Sequence, residues 1–210
     1  MLRYLYADDL NAYPRLRDST FRDRATQFHD RLGWDVQVDN GGLERDQYDD
    51  LSPLYVIWER PDGLHGGSMR FLPTTGRTMT EEHFAGIADV SGLKSPFIWE
   101  CTRFCLAPNS QACVAGLLML AGGELMRQMG LSHFLGVFDA RMVRIYRMIG
   151  SSPKILGSVG QGREQLSVGL WRYSEADRAQ VLDRVGVSSE LSEHWYNRAF
   201  GFDRELAQTA

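Results

Sequence analysis

The segment 97–129, "FIWECTRFCLAPNSQACVAGLLMLAGGELMRQM", contains the pattern that decides the fold. Residues 97–107 are largely apolar and aromatic, which predicts a long strand. Residues 112–129 carry helix formers and a broad apolar face, and Gly130 is a typical C-terminal stop. A buried strand followed by an apolar-faced helix predicts a sheet with a helix packed on it.

Further elements are predicted on both sides of this segment. Strands are predicted over 34–38, 54–59, 66–72, 132–139, 153–159 and 164–173, and helices over 10–30, 140–150, 174–186 and 190–199. The "PDG" turn at 61–63 joins two of the strands in a hairpin. Hairpins mixed with helical crossovers are typical of an α/β (α+β) sandwich, a mixed sheet with helices on both faces. Since no repeat or linker interrupts the pattern, residues 1–210 are predicted to form a single domain.

The composition is that of an ordinary globular chain, with 43% hydrophobic and 24% charged residues. A net charge of −4 argues against nucleic-acid binding, which usually leaves a basic footprint. We expect neither a membrane span nor a signal peptide, and therefore a cytoplasmic location. The odd number of cysteines, Cys101, Cys105 and Cys113, fits reduced thiols, and their spacing predicts no metal site.

Three charged residues lie inside predicted strands. Arg70 falls in "GGSMRFL", and Glu100 and Arg103 fall in "IWECTRF". Ionised groups in core strands are rare unless they are paired or in use. The pattern therefore predicts either a buried salt-bridge network or a polar cleft across one end of the sheet.

A run of charges, "ERDQYDD" at 44–50, lies in the N-terminal half. Most such runs are solvated. Upstream, Arg24 and Phe28 share one face of a predicted helix, and Trp34 follows in "RLGWDV" at 31–36. Each of these residues alone has an ordinary structural explanation.

Together, however, the spaced residues resemble one family, the LuxI-type acyl-homoserine-lactone synthases of bacterial quorum sensing. The resemblance rests on Arg24, Phe28, "RLGWDV", Asp46, Asp49, Arg70, Phe84 and "ECTRF" at 100–104. It runs in register from residue 20 to residue 105 and more loosely to residue 150. It implies a fold similar to the GNAT acetyltransferases, with a splayed mixed β-sheet flanked by helices.

The resemblance also implies a reaction and two substrates. S-adenosylmethionine supplies its amine, which attacks an acyl thioester carried by acyl-carrier protein or coenzyme A. The methionine carboxylate then closes the lactone and expels methylthioadenosine. S-adenosylmethionine is thus a substrate, and no cofactor is expected. A monomer or weak dimer is expected.

The resemblance and the chemistry of these substrates assign residue roles. Glu100 is expected to deprotonate the amine, and Arg103 to act with it. The expected S-adenosylmethionine site comprises Arg24, Phe28, Trp34, Asp46, Asp49, Arg70, Phe84, Arg103 and Phe104. Asp46 and Asp49, three apart, are expected in a turn beside Trp34, whose ring suits a cation. The rest of the run, Glu44, Arg45 and Asp50, is expected to contact solvent or to serve packing.

Glu100 and Arg103 raise a geometric problem, because residues three apart on a regular strand point to opposite faces. Both can serve one site if the strand bulges, as the corresponding strand of the GNAT-like fold does. A bulge would also free the N–H groups of Phe104 or Cys105 to stabilise an oxyanion. Cys101 has no base paired with it in sequence, so an acyl-enzyme is not expected.

The acyl chain needs an apolar pocket. Candidate residues are Leu118, Met119, Gly136, Val137, Phe138, Met142 and Trp171. Many family members that prefer a 3-oxo chain have threonine where this chain has Gly136. The glycine therefore favours an unsubstituted, branched or aryl acyl group.

The identity of the donor stays open at this level. Trp99 is similar to an aromatic residue found in the coenzyme-A-using branch of the family. Arg141, Arg144 and Arg147 form a basic stripe that suits an acidic carrier protein, although a solvated helix face explains it slightly better.

Two other functions remain compatible with the sequence. One is a GNAT-type N-acyltransferase acting on another amine, which the absence of a clear Q/R-x-x-G-x-G/A loop before residue 112 weakens. The other is a non-catalytic sensor of S-adenosylmethionine or acyl thioesters.

Overall fold

The computed structural model describes residues 1–201, and its centre is one seven-stranded sheet in the order β1-β2-β3-β4-β5-β7-β6. The strands are β1 (Leu2–Tyr6), β2 (Leu54–Glu59), β3 (His65–Pro73), β4 (Ile98–Leu106), β5 (His133–Asp139), β6 (Lys154–Val159) and β7 (Leu166–Arg172). Neighbouring strands are antiparallel except β4 and β5, which are parallel. The predicted mixed sheet is confirmed.

Helices cover both faces of the sheet. They are α1 (Ala7–Leu10), α2 (Pro14–Arg24), α3 (Met79–His83), α4 (Val114–Met129), α5 (Ala140–Ile149), α6 (Glu175–Val185) and α7 (Ser189–Phe200). On β2, Leu54 and Val56 pack in the core that includes α4, whereas Tyr55 and Ile57 pack in the core that includes α2. This alternation shows that helices bury both sides of the strand. Every helix within residues 1–201 is too short or too polar to cross a membrane.

Local signals set the helix ends. The Ser174 hydroxyl accepts a hydrogen bond from the Asp177 N–H at 3.2 Å, as an N-cap does. Gly130, Gly150 and Gly186 end α4, α5 and α6 with φ values of 64°, 91° and 65°. Glycine adopts this left-handed conformation without steric cost, so the predicted stops are confirmed.

One prediction fails in the N-terminal half. Residues 34–38 do not form a strand, because only an isolated bridge between Val38 and Glu44 gives them a partner. These residues follow a π-helical turn, Ala25–Arg31, which continues α2. The short strand β1 and the short helix α3 were not predicted.

The sheet opens at its centre. Within the described chain, β4 and β5 pair over Ile98–Glu100 and His133–Leu135 and then diverge. Past this point β5 continues its pairing with β7, and β4 its pairing with β3. The result is the splayed sheet that the resemblance implied.

Candidate active site

A bulge in β4 lies at the opening of the sheet. Arg70 of β3 pairs with Thr102, and Ser68 pairs with Cys105, so β4 holds one residue more than β3 in this interval. Arg103 has a φ of 52°, which is uncommon for a residue with a side chain. The strand irregularity that the sequence required for Glu100 and Arg103 to serve one site is therefore confirmed.

Six charged side chains close a ring beside this bulge, and we call them the charge ring. The ion pairs are Glu44–Arg24 (2.5 Å), Arg24–Asp49 (2.9 Å), Asp49–Arg70 (2.7 Å), Arg70–Asp46 (2.5 Å), Asp46–Arg103 (2.8 Å) and Arg103–Glu44 (2.8 Å). Cations and anions alternate and are equal in number. Burying charges is costly, and this complete pairing offsets that cost.

The backbone of residues 44–49 carries the acids inward. The Glu44 N–H donates to the Phe21 carbonyl at 3.0 Å, which ties the segment to α2. Asp49 N–H donates to the Asp46 carbonyl at 3.1 Å, and Asp46 N–H donates to the Asp49 carboxylate at 2.9 Å. The predicted turn between the two aspartates is thus confirmed.

Both aspartates are held ionised. Burial alone would raise the pKa of Asp46, but the hydrogen bond and charge of Arg70 lower it below its usual value. Burial also opposes ionisation of Asp49, but Arg24 and Arg70 hold its pKa far below the usual range. Arginines therefore already balance the negative charges of both aspartates. Two carboxylates without such partners would carry an unbalanced charge.

Glu100 is buried next to the ring and is held by α3. Its carboxylate accepts hydrogen bonds from the N–H groups of Met79 (3.0 Å) and Thr80 (2.6 Å). Burial raises the pKa of Glu100, although these hydrogen bonds work against the shift. Arg103 contacts the Met79 sulfur at 3.7 Å, so Glu100 and Arg103 both reach the first residue of α3.

An aromatic wall borders the charge ring. The rings of Phe28 and Trp34 stack with centroids 5.2 Å apart and an interplanar angle of 11°. The guanidinium of Arg103 lies over the ring of Phe28, 5.4 Å from its centroid. Phe28 belongs to the π-helical turn, a feature common at functional sites, and Gly33 at φ 65° turns the chain toward Trp34. Trp34 is 39% exposed and can receive a ligand.

An apolar cavity lies in the opening between β4 and β5, covered by α4 and α6. Its empty space, including the mouth, is about 870 Å³. Four of the predicted pocket residues line it: Met119, Gly136, Val137 and Trp171. Arg103 and Phe104 of the bulge also line it, so the apolar cavity and the charge ring share Arg103.

Known proteins share this fold and this sequence pattern. The model of the autoinducer synthase family matches residues 10–181. The chain belongs to the autoinducer synthase family. An acyl-homoserine-lactone synthase of Rhizobium etli is 40% identical over 200 residues, which cover 92% of this chain and 93% of the relative.

Solved structures agree on the fold of this family member. BjaI, a CoA-dependent acyl-homoserine lactone synthase solved with SAM and isopentyl-CoA, has a TM-score of 0.80 at 22% identity, over 90% of each chain. A protein of Lactobacillus plantarum assigned as an N-acetyltransferase has a TM-score of 0.55 at 15% identity, over 82% of this chain and 99% of that one. The GNAT-like fold expected from the resemblance is confirmed.

Three predicted pocket residues lie outside the cavity wall. Leu118 is fully buried in the main core, because it points away from the helix face that carries Met119. Phe138 packs edge-on against Tyr146 and Trp171 instead. Met142 packs against the main core. Single-sequence patterns do not distinguish core from pocket, since both need apolar side chains.

The structure also shows the contacts of Phe84, of Trp99 and of the arginines of the basic stripe. Phe84 packs against Val90, Leu135 and Val168. The Trp99 ring N–H donates to the Pro96 carbonyl at 3.1 Å. In the basic stripe, Arg141 pairs with Asp139 at 2.6 Å, whereas Arg144 and Arg147 are exposed.

The sequence pattern missed several residues that support the ring. Glu44, expected at solvent or in packing, is a full member and is completely buried. The Tyr55 hydroxyl donates to Asp49 at 2.6 Å, and Arg70 donates to the Thr102 hydroxyl at 3.0 Å. Tyr48, inside the charge run, is buried and donates to Glu82 at 2.7 Å. An aromatic residue splitting a run of acids was the one available signal that part of the run turns inward.

Cys101 lines the apolar cavity but is poorly suited to attack a thioester. Burial raises the pKa of its thiol far above the usual value, and the negative charge of Glu100 adds to this effect. The thiolate is the nucleophilic form, so a protonated Cys101 is inert.

Proposed function

We propose that this chain makes an N-acyl-homoserine lactone from S-adenosylmethionine and an acyl thioester. One observation carries the proposal: a charged site beside an exposed aromatic wall and an apolar cavity meet at the bulge of β4. An amine bound on one side can there reach an acyl carbonyl bound on the other. Membership of the autoinducer synthase family supplies the reaction class.

S-adenosylmethionine carries a sulfonium, an ammonium, a carboxylate and an adenine ring. The exposed fractions of the ring side chains are largest for Asp46 (13%) and Arg103 (10%). We therefore assign these two to contact the substrate, with Arg103 on the carboxylate and Asp46 on the ammonium. Trp34 receives the sulfonium or the adenine. The deeper members, Arg24 and Arg70 among them, hold these two in place.

Glu100 accepts the proton of the amine, directly or through one water, and its raised pKa makes it a better base. Each of its oxygens already accepts one backbone hydrogen bond and retains capacity for another. The amine nitrogen then bonds to the acyl carbon, and the thiol leaves. The oxyanion is stabilised by N–H groups of the bulge, at Phe104 or Cys105. Finally the carboxylate oxygen bonds to the γ-carbon, the carbon–sulfur bond breaks, and methylthioadenosine leaves.

Gly136 bears on which acyl group the donor carries. A Cβ at this position would lie 3.1 Å from the Cys101 carbonyl oxygen and 3.2 Å from the Trp171 ring. A threonine would not fit without moving Trp171, so recognition of a 3-oxo group from this position is disfavoured. Acyl-carrier protein and coenzyme A both remain candidate carriers. Both carriers are acidic, so the basic Arg144 and Arg147 suit either one. A cytoplasmic location, a monomer or weak dimer, and turnover without a cofactor stay predictions.

The test is incubation with S-adenosylmethionine and a panel of acyl-CoAs and acyl-carrier proteins, read by mass spectrometry. An N-acyl-homoserine lactone together with methylthioadenosine is the expected result. An amide without a lactone would favour a GNAT-type transferase acting on another amine. Binding without turnover would favour a sensor.

A further inference from the structure

Helix α4 contains three glycines, Gly116, Gly122 and Gly123, although glycine is unfavourable inside a helix. Each lowers the stability of the helix relative to alanine. Their backbone is helical, so a left-handed conformation does not explain them. A different local reason is therefore needed for each.

Packing explains the first glycine and is compatible with the second. A Cβ at Gly116 would lie 2.5 Å from a methyl group of Val185, so glycine lets α6 approach α4. A Cβ at Gly122 would make ordinary contacts, the nearest being Phe134 at 3.5 Å.

Gly123 has no such neighbour. Within residues 1–201, apart from its chain neighbours and the adjoining backbone of α4, no atom lies within 4 Å of the position that its Cβ would take. Gly123 lines the apolar cavity, on the same helix face as Met119, Leu120 and Met126. Because Gly123 lines the cavity, a side chain at this position could enter it.

We propose that Gly123 is a specificity-determining residue that sets the width of the apolar cavity and admits a broad acyl group, branched or aromatic. The proposal rests on the proposed function, because it assumes that the cavity receives the acyl chain. Cavity width on the side of β5 is already limited, since Trp171 covers Gly136. Extra width therefore comes from α4, at the one glycine with open space beside it. A straight chain needs less width and gains little from it.

The experiment compares Gly123→Leu and Gly123→Ala with wild type on straight, branched and aromatic acyl thioesters. We expect G123L to lower kcat/KM for branched and aromatic donors by roughly tenfold relative to a butyryl donor. G123A should change the same ratio in the same direction by a smaller factor. Gly116→Ala is the matched control. Its clash with Val185 should lower the stability of the protein and reduce kcat/KM for all donors by the same factor.

A second readout does not depend on turnover. Branched acyl-CoA should raise the unfolding midpoint of wild type more than that of G123L, since a ligand stabilises the form it binds. Unchanged donor ratios in both Gly123 variants, or an equal loss for every donor as in G116A, would overturn the inference. If wild type makes no lactone with any donor, the proposed function fails. The inference fails separately if branched acyl-CoA raises the unfolding midpoint of wild type and of G123L by the same amount.

Discussion

The charge ring and the apolar cavity meet at Arg103 but are built in opposite ways. In the ring, each of the six side chains contacts two oppositely charged neighbours. Five of the six ion pairs of the ring contain a hydrogen bond of 2.5–2.9 Å. In the cavity, the proposed function depends on the empty volume, and the glycines Gly123 and Gly136 set that volume because they lack a side chain. Ring variants should therefore affect stability and all substrates together, whereas cavity variants should change donor preference.

Glu44→Gln is the most severe test of the ring. It leaves Arg24 and Arg103 without their shared anion in a fully buried position. Removing one partner of a buried ion pair costs about 3–5 kcal/mol, so we expect a loss of that size in the free energy of unfolding, with loss of activity. Urea denaturation measures it. Asp50→Asn, an exposed acid of the same run, is the control and should stay within about 0.5 kcal/mol of wild type.

Glu100→Gln tests the chemistry next to the ring. A general base contributes roughly 10²–10⁴-fold, so kcat should fall at least a hundredfold. Burial raises the pKa of Glu100, so wild-type activity should decrease as the pH falls through a value above the ordinary glutamate pKa. The pH–rate profile of the amide-forming step checks this. An acid limb that persists unchanged in the variant would assign the base to another group.

Arg103→Lys distinguishes charge from shape. Lysine keeps the positive charge but cannot make the two contacts by which Arg103 holds Glu44 at 2.8 and 3.1 Å. We expect a roughly tenfold or larger rise in KM for S-adenosylmethionine, since a charged hydrogen bond contributes about 1.5–3 kcal/mol. Arg144→Lys on the exposed face of α5 should leave KM unchanged. Equal KM values for both variants would remove Arg103 from the substrate site.

Cys101→Ala should have the smallest effect. This residue lines the cavity, and its thiol pKa is raised, so it has no expected chemical role. We expect kcat to stay within about threefold of wild type, in line with removal of one small buried group. Rapid-mixing kinetics with an acyl thioester provide the measurement. Loss of turnover together with a missing acyl-enzyme burst would instead indicate a covalent mechanism.

Much of the fold was predictable because its signals are local. The ends of α4, α5 and α6 follow from glycines that adopt left-handed φ values, and the start of α6 from the Ser174 cap. The failure at 34–38 has a physical reason: alternating residues form a strand only when another strand is positioned to pair with them. Here residues 34–38 have only the single bridge from Val38 to Glu44, and most of them are exposed.

The residues of the charge ring also divide into those that were predicted and one that was missed. Arg24, Asp46, Asp49, Arg70 and Arg103 were predicted because their spaced pattern resembles the acyl-homoserine-lactone synthases, and the structure brings all of them into one ring. Glu44 was missed, since its sequence context matches that of an exposed acid.

The sequence by itself determined the order of the main strands and helices and the need for a bulge near Arg103, and its resemblance to a known family implied the inward turn at Asp46 and Asp49. These depend on neighbouring residues or on rare charges in apolar strands. Only the tertiary structure decided that Glu44 completes the ring, that Leu118 belongs to the core and that Gly123 faces open space. The reason is that closing a ring and leaving a cavity depend on how segments far apart in the chain pack together.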